Sequence, residues 1–228
     1  MESFNLIDEA FIPVRTQAGG HEMVNLRDTL VRSHEFASIA DASPLTTFAL
    51  YRFLMVIVHR VLEGEDAEAI RQAGKLPENR IADYLTRYRD RFDLFDVERP
   101  FLQRAVGEES TRPVSDLFAE LPVDTNINHA RHAQDDAVAA CPTCCTHGML
   151  RISPFCGQGG QGKAPSINAP TPAYFLPVGA TVFETLLLNR AAIAVVAGPP
   201  AYREVVGPAE RENCRWGGES DRRDGPGR

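Results

Sequence analysis

The chain has 228 residues, enough for one large domain with a buried core or for two small domains. Its net charge of −7 at pH 7 argues against a free-standing nucleic-acid-binding protein, so any contact with DNA or RNA must be local or made inside a larger assembly. The longest apolar run, residues 48–62, is interrupted by charged side chains and is too short to span a membrane. No signal peptide is apparent, and we expect a cytoplasmic protein with no membrane contact.

The N-terminal residues predict a small antiparallel sheet. Short β-like runs occupy residues 4–7, 11–14 and 23–26, with turns expected at residues 8–10 and 17–20. Pro13 has no backbone N–H, which favours an edge position for its strand. A helix is expected to follow from Asn25 or Leu26 towards Arg32.

Several helices should follow the sheet. Ser43 and Pro44 are typical of a helix start, and the apolar run up to Leu62 predicts a buried core helix that Gly64 ends. Apolar residues at helical spacing predict an amphipathic helix over residues 78–92. These residues are Ile81, Leu85, Tyr88 and Phe92. We expect an ordered loop with buried aromatic side chains at residues 95–102 and a short helix at residues 115–120.

The second half alternates between polar loops and apolar elements. Residues 124–136 are polar and predict an exposed loop. Residues 173–178 suit a strand, and Thr181 with Glu184 forms a capping-box pattern that should open a helix through Ala197. Twelve of the last 26 residues are charged, so we expect a folded region over residues 1–200 and a disordered tail over 201–228.

Four of the five cysteines fall between Cys141 and Cys156. The spacing of Cys141 and Cys144 allows both thiolates to chelate one zinc ion, but a structural zinc site needs four ligands, so this is a half-site. Other candidate ligands match no standard second arm; they are Cys145, His147, Cys156 and Cys214. Two alternatives stay open, plain cysteines and a redox pair. The redox pair requires the first cysteine at a helix N-terminus in a βαβ unit, which the sequence does not predict here.

Residues 137–183 contain no Asp or Glu, although the chain as a whole is acidic. This window holds a glycine-rich loop that ends at Lys163. Ala164 stands where a phosphate-binding loop needs Ser or Thr, and Pro165 disfavours the helix that a dinucleotide loop requires. The absence of carboxylates instead favours contact with a nucleic-acid backbone or groove. No nucleophile-elbow sequence is present, so we expect no catalytic site and interpret the histidines as solvent-exposed or phosphate-facing.

An ordered set of short motifs resembles the CasA family, the large subunits of type I-E CRISPR Cascade complexes. The set lies between residues 4 and 189 in the family's order and spacing. It comprises residues 5–8, 11–14, 99–103, 124–129 and 141–144, the glycine loop, and residues 165–168, 176–178 and 183–189. No single motif decides the resemblance; the order of the set does.

The resemblance implies an α+β fold, the mixed N-terminal domain of a Cascade large subunit with a small antiparallel sheet and several helices. It implies a non-catalytic subunit that helps recognise the protospacer-adjacent motif in double-stranded target DNA, through Gly157, Gly159, Gly160 and Lys163. Docking on the other Cascade subunits and the guide RNA would fall to residues of the 124–136 loop. These residues are Asn126, Asn128, His129 and Arg131. A helicase–nuclease would be recruited later.

The chain also departs from that family. Family members are about twice as long, and those with the Cys141–Cys144 motif complete a zinc site with a second cysteine pair further along. The C-terminal helical bundle is missing here, so we expect a truncated or frameshifted reading frame or a fragment. Two alternatives remain: a stand-alone zinc-binding or thiol protein built around Cys141 and Cys144, and an inactive fragment with an incomplete core.

Overall fold

The computed structural model describes residues 3–103, 114–118, 139–155 and 174–196, with backbone alone at residues 115, 116, 153 and 191–196. The chain divides into two compact units, Met1–Arg190 and Ala191–Arg228. Of the second unit, the described part is helical backbone at residues 191–196. The predicted boundary after residue 200 and the predicted disorder of the tail lie outside the described residues.

The sheet of the first unit has three antiparallel strands in the order β2-β1-β3. The strands are β1 (Ile12–Thr16), β2 (His21–Val24) and β3 (Phe36–Ile39). The prediction of strands at residues 11–14 and 23–26 is therefore confirmed within a residue or two. The turn expected between them is also present, with Gly19 at a φ of +88° that favours glycine.

Two predictions about the sheet are wrong. Residues 4–7 form no strand but a single bridge from Asn5 to Asp93 and a turn, because Leu6 and Ile7 are apolar for burial in the core. Pro13 lies in the central strand and not at an edge. The β1–β3 register begins one residue later at Val14, so the missing N–H falls at the end of the ladder.

Helix α1 (Leu26–Val31) begins where the sequence predicts, and the Asn25 side chain accepts the amide of Asp28 at 2.7 Å. Helix α2 (Pro44–Val61) is the predicted buried helix. Its residues Leu50 and Leu54 are fully buried, and strand β3 and two later helices pack against it. The chain turns away soon after at Gly64, which has a φ of +81°.

Helices α3 (Ala67–Ala73) and α4 (Glu78–Arg87) follow, and a 3-10 turn continues α4 over Arg89–Arg91. Helix α4 is thus shorter than the predicted 78–92, although Phe92 is buried as expected. In the following loop Phe101 is buried, but Phe95 is 40% exposed, so the expected burial holds for one aromatic ring only. Within the described parts of the chain, no helix is long and apolar enough to cross a membrane.

The remaining elements are a 3-10 turn at Val114–Leu117, helix α5 (Pro142–Phe155) and helix α6 (Val182–Val196). The short helix predicted at residues 115–120 is this 3-10 turn as far as the structure describes it. The strand predicted at residues 173–178 is wrong over its described part, since residues 174–179 carry no strand pairing.

Helix α6 begins as the capping pattern predicts. The Thr181 hydroxyl accepts the amide of Glu184 at 3.1 Å, while the Glu184 carboxylate accepts the amide of Ala180 at 2.7 Å in place of the Thr181 amide. A Cβ at Gly179 would lie 2.4 Å from that of Glu184, so only glycine fits this tight entry.

Candidate nucleic-acid interface

Helix α5 is the element that positions both predicted nucleic-acid segments. It packs along α2, and the Val114–Leu117 turn packs against it. A Cβ at Gly148 would lie 2.7 Å from both the Cβ and the carbonyl oxygen of Leu117, so glycine permits this close approach. One helical turn further, Arg151 Nη2 donates to the same carbonyl oxygen at 3.1 Å. The turn is therefore fixed to α5 by packing and by a charge-assisted hydrogen bond.

The predicted docking residues lie outside the described residues, in the segment 119–138. They are Asn126, Asn128, His129 and Arg131. Both ends of the segment are nevertheless described. It leaves just after Leu117, which is held on α5, and returns just before Cys141, which directly precedes α5. Helix α5 thus sets the points at which this segment departs and rejoins.

The predicted DNA-contacting residues Gly157, Gly159, Gly160 and Lys163 also lie outside the described residues, in the segment 156–173. The two ends of this segment are held together by three aromatic rings, which we call the loop-base cluster: Phe48, Phe155 and Tyr174. The ring centroids are 5.6 Å apart for Phe48 and Phe155, 5.6 Å for Phe155 and Tyr174, and 4.5 Å for Phe48 and Tyr174.

A hydrogen bond reinforces the loop-base cluster, because Tyr174 Oη donates to the carbonyl oxygen of Pro154 at 2.8 Å. Phe48 belongs to α2, whereas Phe155 is the last residue of α5. The glycine-rich segment therefore starts and ends at one fixed place, on a base shared by the two packed helices.

His147 on α5 ties that helix to the start of the sheet. Its Nε2 lies 2.6 Å from the carbonyl oxygen of Phe11, and its Nδ1 lies 3.7 Å from a carboxylate oxygen of Asp41. Burial lowers the pKa of His147, although the hydrogen bond to Phe11 and the Asp41 charge oppose that shift. A neutral imidazole that donates to Phe11 is the consistent state, so the interpretation of His147 as solvent-exposed or phosphate-facing is wrong.

Arg151, the cation of the acid-free window that the structure describes, is 7% exposed. Its guanidinium holds the Val114–Leu117 turn against α5 through the hydrogen bond to Leu117. Of the two cations inside the window, Lys163 is therefore the one that keeps the expectation of a DNA contact.

Cys141 and Cys144 lie at the start of α5 and are both exposed. Their Sγ atoms are 3.0 Å apart, and the Cys144 amide donates to Cys141 Sγ at 3.3 Å. The hydrogen bond between the two thiols lowers the pKa of Cys141 and raises the pKa of Cys144. Cys141 therefore lies at a helix N-terminus, a position that the redox alternative requires and that the sequence did not predict.

The zinc expectation is only half supported by geometry. Within the described ranges, no group of three or more His, Cys, Asp or Glu side chains could hold a metal ion. The described residues therefore supply two of the four ligands that a structural zinc site needs, and zinc binding stays a prediction that needs ligands from elsewhere.

A cavity in the described part of the chain is lined by residues outside α5. It has a volume of about 590 Å³ and a strongly acidic lining, in which Asp8 pairs with Arg89. The acidic lining includes Asp90, Asp93 and Asp96. Such a lining repels nucleic acid, so the cavity does not compete with α5 as the candidate interface.

Comparison with known proteins identifies the fold's relatives. The family described as CRISPR-associated protein Cse1 matches residues 5–224. This chain belongs to the Cse1 family. The CRISPR-associated protein CasA/Cse1 of Thermus thermophilus is 38% identical over 200 residues, which are 83% of this chain and 40% of that protein.

Solved Cse1 structures share the fold. The Thermus thermophilus CasA (Cse1) structure matches with a TM-score of 0.68 and 38% identity, over 83% of this chain and 40% of that one. A subunit of a CRISPR RNA-guided surveillance complex matches with a TM-score of 0.68 and 25% identity, over 83% of this chain and 44% of that one. The expected α+β fold with a small antiparallel sheet is confirmed. The chain spans about 40% of the length of the Cse1 relatives it matches.

Sequence reasoning missed what anchors the two segments in this Cse1-family chain. Helix α5 was not predicted, and the roles of Gly148, Phe48 and Tyr174 were not recognised. A usable signal was present in the aromatic residues Phe155 and Tyr174, which flank a glycine- and proline-rich stretch on both sides.

Proposed function

We propose that this Cse1-family chain is a non-catalytic part of the large subunit of a CRISPR RNA-guided surveillance complex and helps recognise the protospacer-adjacent motif in target DNA. The observation that carries the proposal is the loop-base cluster, which fixes both ends of the glycine-rich segment 156–173 on α2 and α5. Membership of the Cse1 family supports assembly into such a complex. The loop-base cluster supports a role in which the glycine-rich segment presents its backbone to a DNA groove.

Glycines suit a probe of duplex DNA because a backbone without side chains can approach base edges and phosphates closely. In this proposal Gly157, Gly159 and Gly160 lie against the minor groove of the motif, and Lys163 pairs with an adjacent phosphate. The groove offers a degenerate pattern of acceptors, so a short backbone probe recognises groove shape and a few edges. The absence of Asp and Glu from residues 137–183 removes charge repulsion at this surface.

The net charge of −7 is compatible with this role. In RNA-guided recognition, base pairing with the guide supplies most of the sequence specificity, and the protein recognises only a short motif and duplex shape. A single local contact surface is then sufficient. The partners are the other Cascade subunits, the guide RNA and double-stranded DNA, and the setting is cytoplasmic.

Docking is assigned to segment 119–138, through Asn126, Asn128, His129 and Arg131. Amide, imidazole and guanidinium groups are suited to phosphate and sugar contacts with an RNA end. Helix α5 fixes both ends of this segment as well. A movement at the docking surface would therefore be transmitted through α5 to the loop-base cluster. DNA cleavage belongs to a separate helicase–nuclease that the complex recruits after recognition.

Co-purification tests the assembly directly. The tagged chain is expressed with the remaining Cascade subunits and guide RNA of its own system, and the purified complex is assayed for guide-matched duplex binding. We expect stoichiometric retention of the chain and tighter binding to a duplex than in a complex lacking it. A chain that co-purifies with no subunit would support the inactive fragment. A chain that binds one zinc ion in native mass spectrometry without joining the complex would support the stand-alone zinc protein.

A contact between Lys163 and a DNA phosphate can be detected from the salt dependence of duplex binding. Replacing Lys163 by Ala should weaken duplex binding and reduce the slope of log affinity against log salt by about 0.9, the value for one released counterion. The matched change Lys75→Ala, which removes an exposed lysine outside the candidate interface, should leave that slope unchanged.

A further inference from the structure

We propose that Cys141 and Cys144 form a reversible disulfide across the first turn of α5, by exchange with a small-molecule disulfide such as oxidised glutathione. The two sulfur atoms are already 3.0 Å apart and need to approach by only about 1 Å to reach the disulfide bond length of about 2.05 Å. The proposed role in DNA recognition does not require this disulfide, so the two proposals can be tested separately.

The local backbone explains why the two thiols meet. Cys141 directly precedes α5, and its carbonyl oxygen accepts the Cys145 amide at 3.0 Å, so the first helical turn is formed. A side chain at this position folds back over the turn towards the amide three residues later. Here that amide belongs to Cys144, and it donates to Cys141 Sγ. The arrangement brings the two sulfur atoms together without any change of the helix.

Access and competition also favour the disulfide. Both side chains are exposed, so a tripeptide-sized disulfide can reach either sulfur. Within the described part of the chain, no third side chain joins the pair to complete a metal site.

The exchange proceeds in two balanced steps. The thiolate of one cysteine attacks a sulfur of oxidised glutathione, which breaks the S–S bond, forms a mixed disulfide and releases one glutathione thiolate. The second cysteine gives its proton to solvent and attacks the cysteine sulfur of the mixed disulfide, which releases the second glutathione. The protein pair is oxidised by two electrons, and one glutathione disulfide is reduced to two thiols.

The experiment uses the full chain after reduction and treatment with a chelator. Samples equilibrate in buffers with increasing ratios of oxidised to reduced glutathione, are quenched in acid, and are alkylated before intact mass spectrometry and peptide mapping. We expect the wild-type chain to lose two hydrogens and two alkylatable thiols, with Cys141 and Cys144 in one linked peptide. The control Cys145→Ser should behave in the same way.

Single variants distinguish the intramolecular bond from general thiol reactivity. Cys141→Ser and Cys144→Ser should both stop at a stable glutathione adduct on the remaining cysteine. The proposal is overturned if Cys141 and Cys144 stay alkylatable in the wild-type chain, if a glutathione adduct persists on either of them, or if the linked peptide contains Cys145, Cys156 or Cys214.

Discussion

Arg190 donates from Nη2 to the carbonyl oxygen of Leu62 at 2.7 Å, although the two residues are 128 positions apart in the sequence. The same nitrogen donates to the carbonyl oxygen of Glu65 at 3.0 Å. A guanidinium on α6 thus satisfies carbonyl groups just beyond the C-terminal end of α2, where the helix dipole also favours a cation. This contact ties α6 to the helix on which the candidate interface is built.

Replacing Arg190 by Met should lower the free energy of unfolding by about 1 to 2 kcal/mol, because two carbonyl groups lose a charged donor. Urea unfolding of both proteins measures this change. Arg80→Met is the matched control, since Arg80 forms an exposed pair with Glu65, and it should cost less. Equal losses in the two variants would show that the contact of Arg190 is no more than a surface ion pair.

Gly148→Ala should destabilise the chain by about 1 to 3 kcal/mol, because its Cβ would lie 2.7 Å from backbone and Cβ atoms of Leu117 that cannot rotate away. Gly20→Ala provides the comparison, since its nearest neighbour is a rotatable hydroxyl of Thr16 at 3.3 Å. Thermal or urea unfolding compares the two variants. A stable Gly148→Ala protein would contradict the fixed position of the Val114–Leu117 turn.

Two substitutions of Tyr174 separate the contribution of its hydrogen bond from that of its ring contacts in the loop-base cluster. Tyr174→Phe removes only the hydrogen bond to Pro154 and should cost about 0.5 to 1.5 kcal/mol. Tyr174→Ala also removes the ring contacts with Phe48 and Phe155 and should cost about 2 to 3 kcal/mol.

Limited trypsin digestion supplies a second measure of the same two variants, because Lys163 is a cleavage site within segment 156–173. Cleavage there should accelerate more in Tyr174→Ala than in Tyr174→Phe. If cleavage is the same in wild type and both variants, the cluster does not control this segment.

Stability should fall on mild acidification because of His147. Burial lowers its pKa below the usual value of about 6.5, so the unfolded chain binds the proton first. The contribution is fully present above about pH 6.5 and is lost as the pH falls through the lowered pKa of the folded state. Urea midpoints measured from pH 7.5 downwards should therefore decrease more steeply for the wild type than for His147→Gln.

A control separates His147 from the other histidines. His21→Gln changes an exposed side chain on β2 and leaves His147 in place, so this variant should keep the wild-type pH dependence. If His147→Gln keeps the same pH dependence as the wild type, the buried imidazole does not control it.

The parts of the fold that the sequence predicts are those with local signals. Helices α1, α2 and α6 have capping residues or proline at the first turn, followed by apolar runs, and all three begin where predicted. Helix α5 also begins with a proline, Pro142, but Gly148 is a poor helix former and Pro154 lies in its last turn, so the sequence signal for this helix is mixed. Its packing along α2 outweighs these propensities.

Strand β3 escaped prediction for a similar reason. Its buried residues Phe36 and Ile39 are three apart and do not alternate, so the period of two that marks a half-buried strand is absent. Strand β3 is instead stabilised by its pairing with β1, which lies before β2 and α1 in the sequence. The candidate site shows the same division, because the residue types of the glycine-rich segment are visible in the sequence, whereas the aromatic base that holds it depends on tertiary contacts.

Duplex binding by the assembled complex tests the proposed recognition of target DNA most directly. The measurement compares complexes that contain Gly160→Leu or Gln161→Leu, with a motif-bearing duplex and with a single strand matched to the guide. Gly160→Leu should weaken duplex binding by roughly tenfold or more, about 1.4 kcal/mol, and leave single-strand binding unchanged. Gln161→Leu should bind nearly as the wild type, since that position already carries a side chain. Unchanged duplex affinity with Gly160→Leu would contradict a role of the glycine-rich segment in motif recognition.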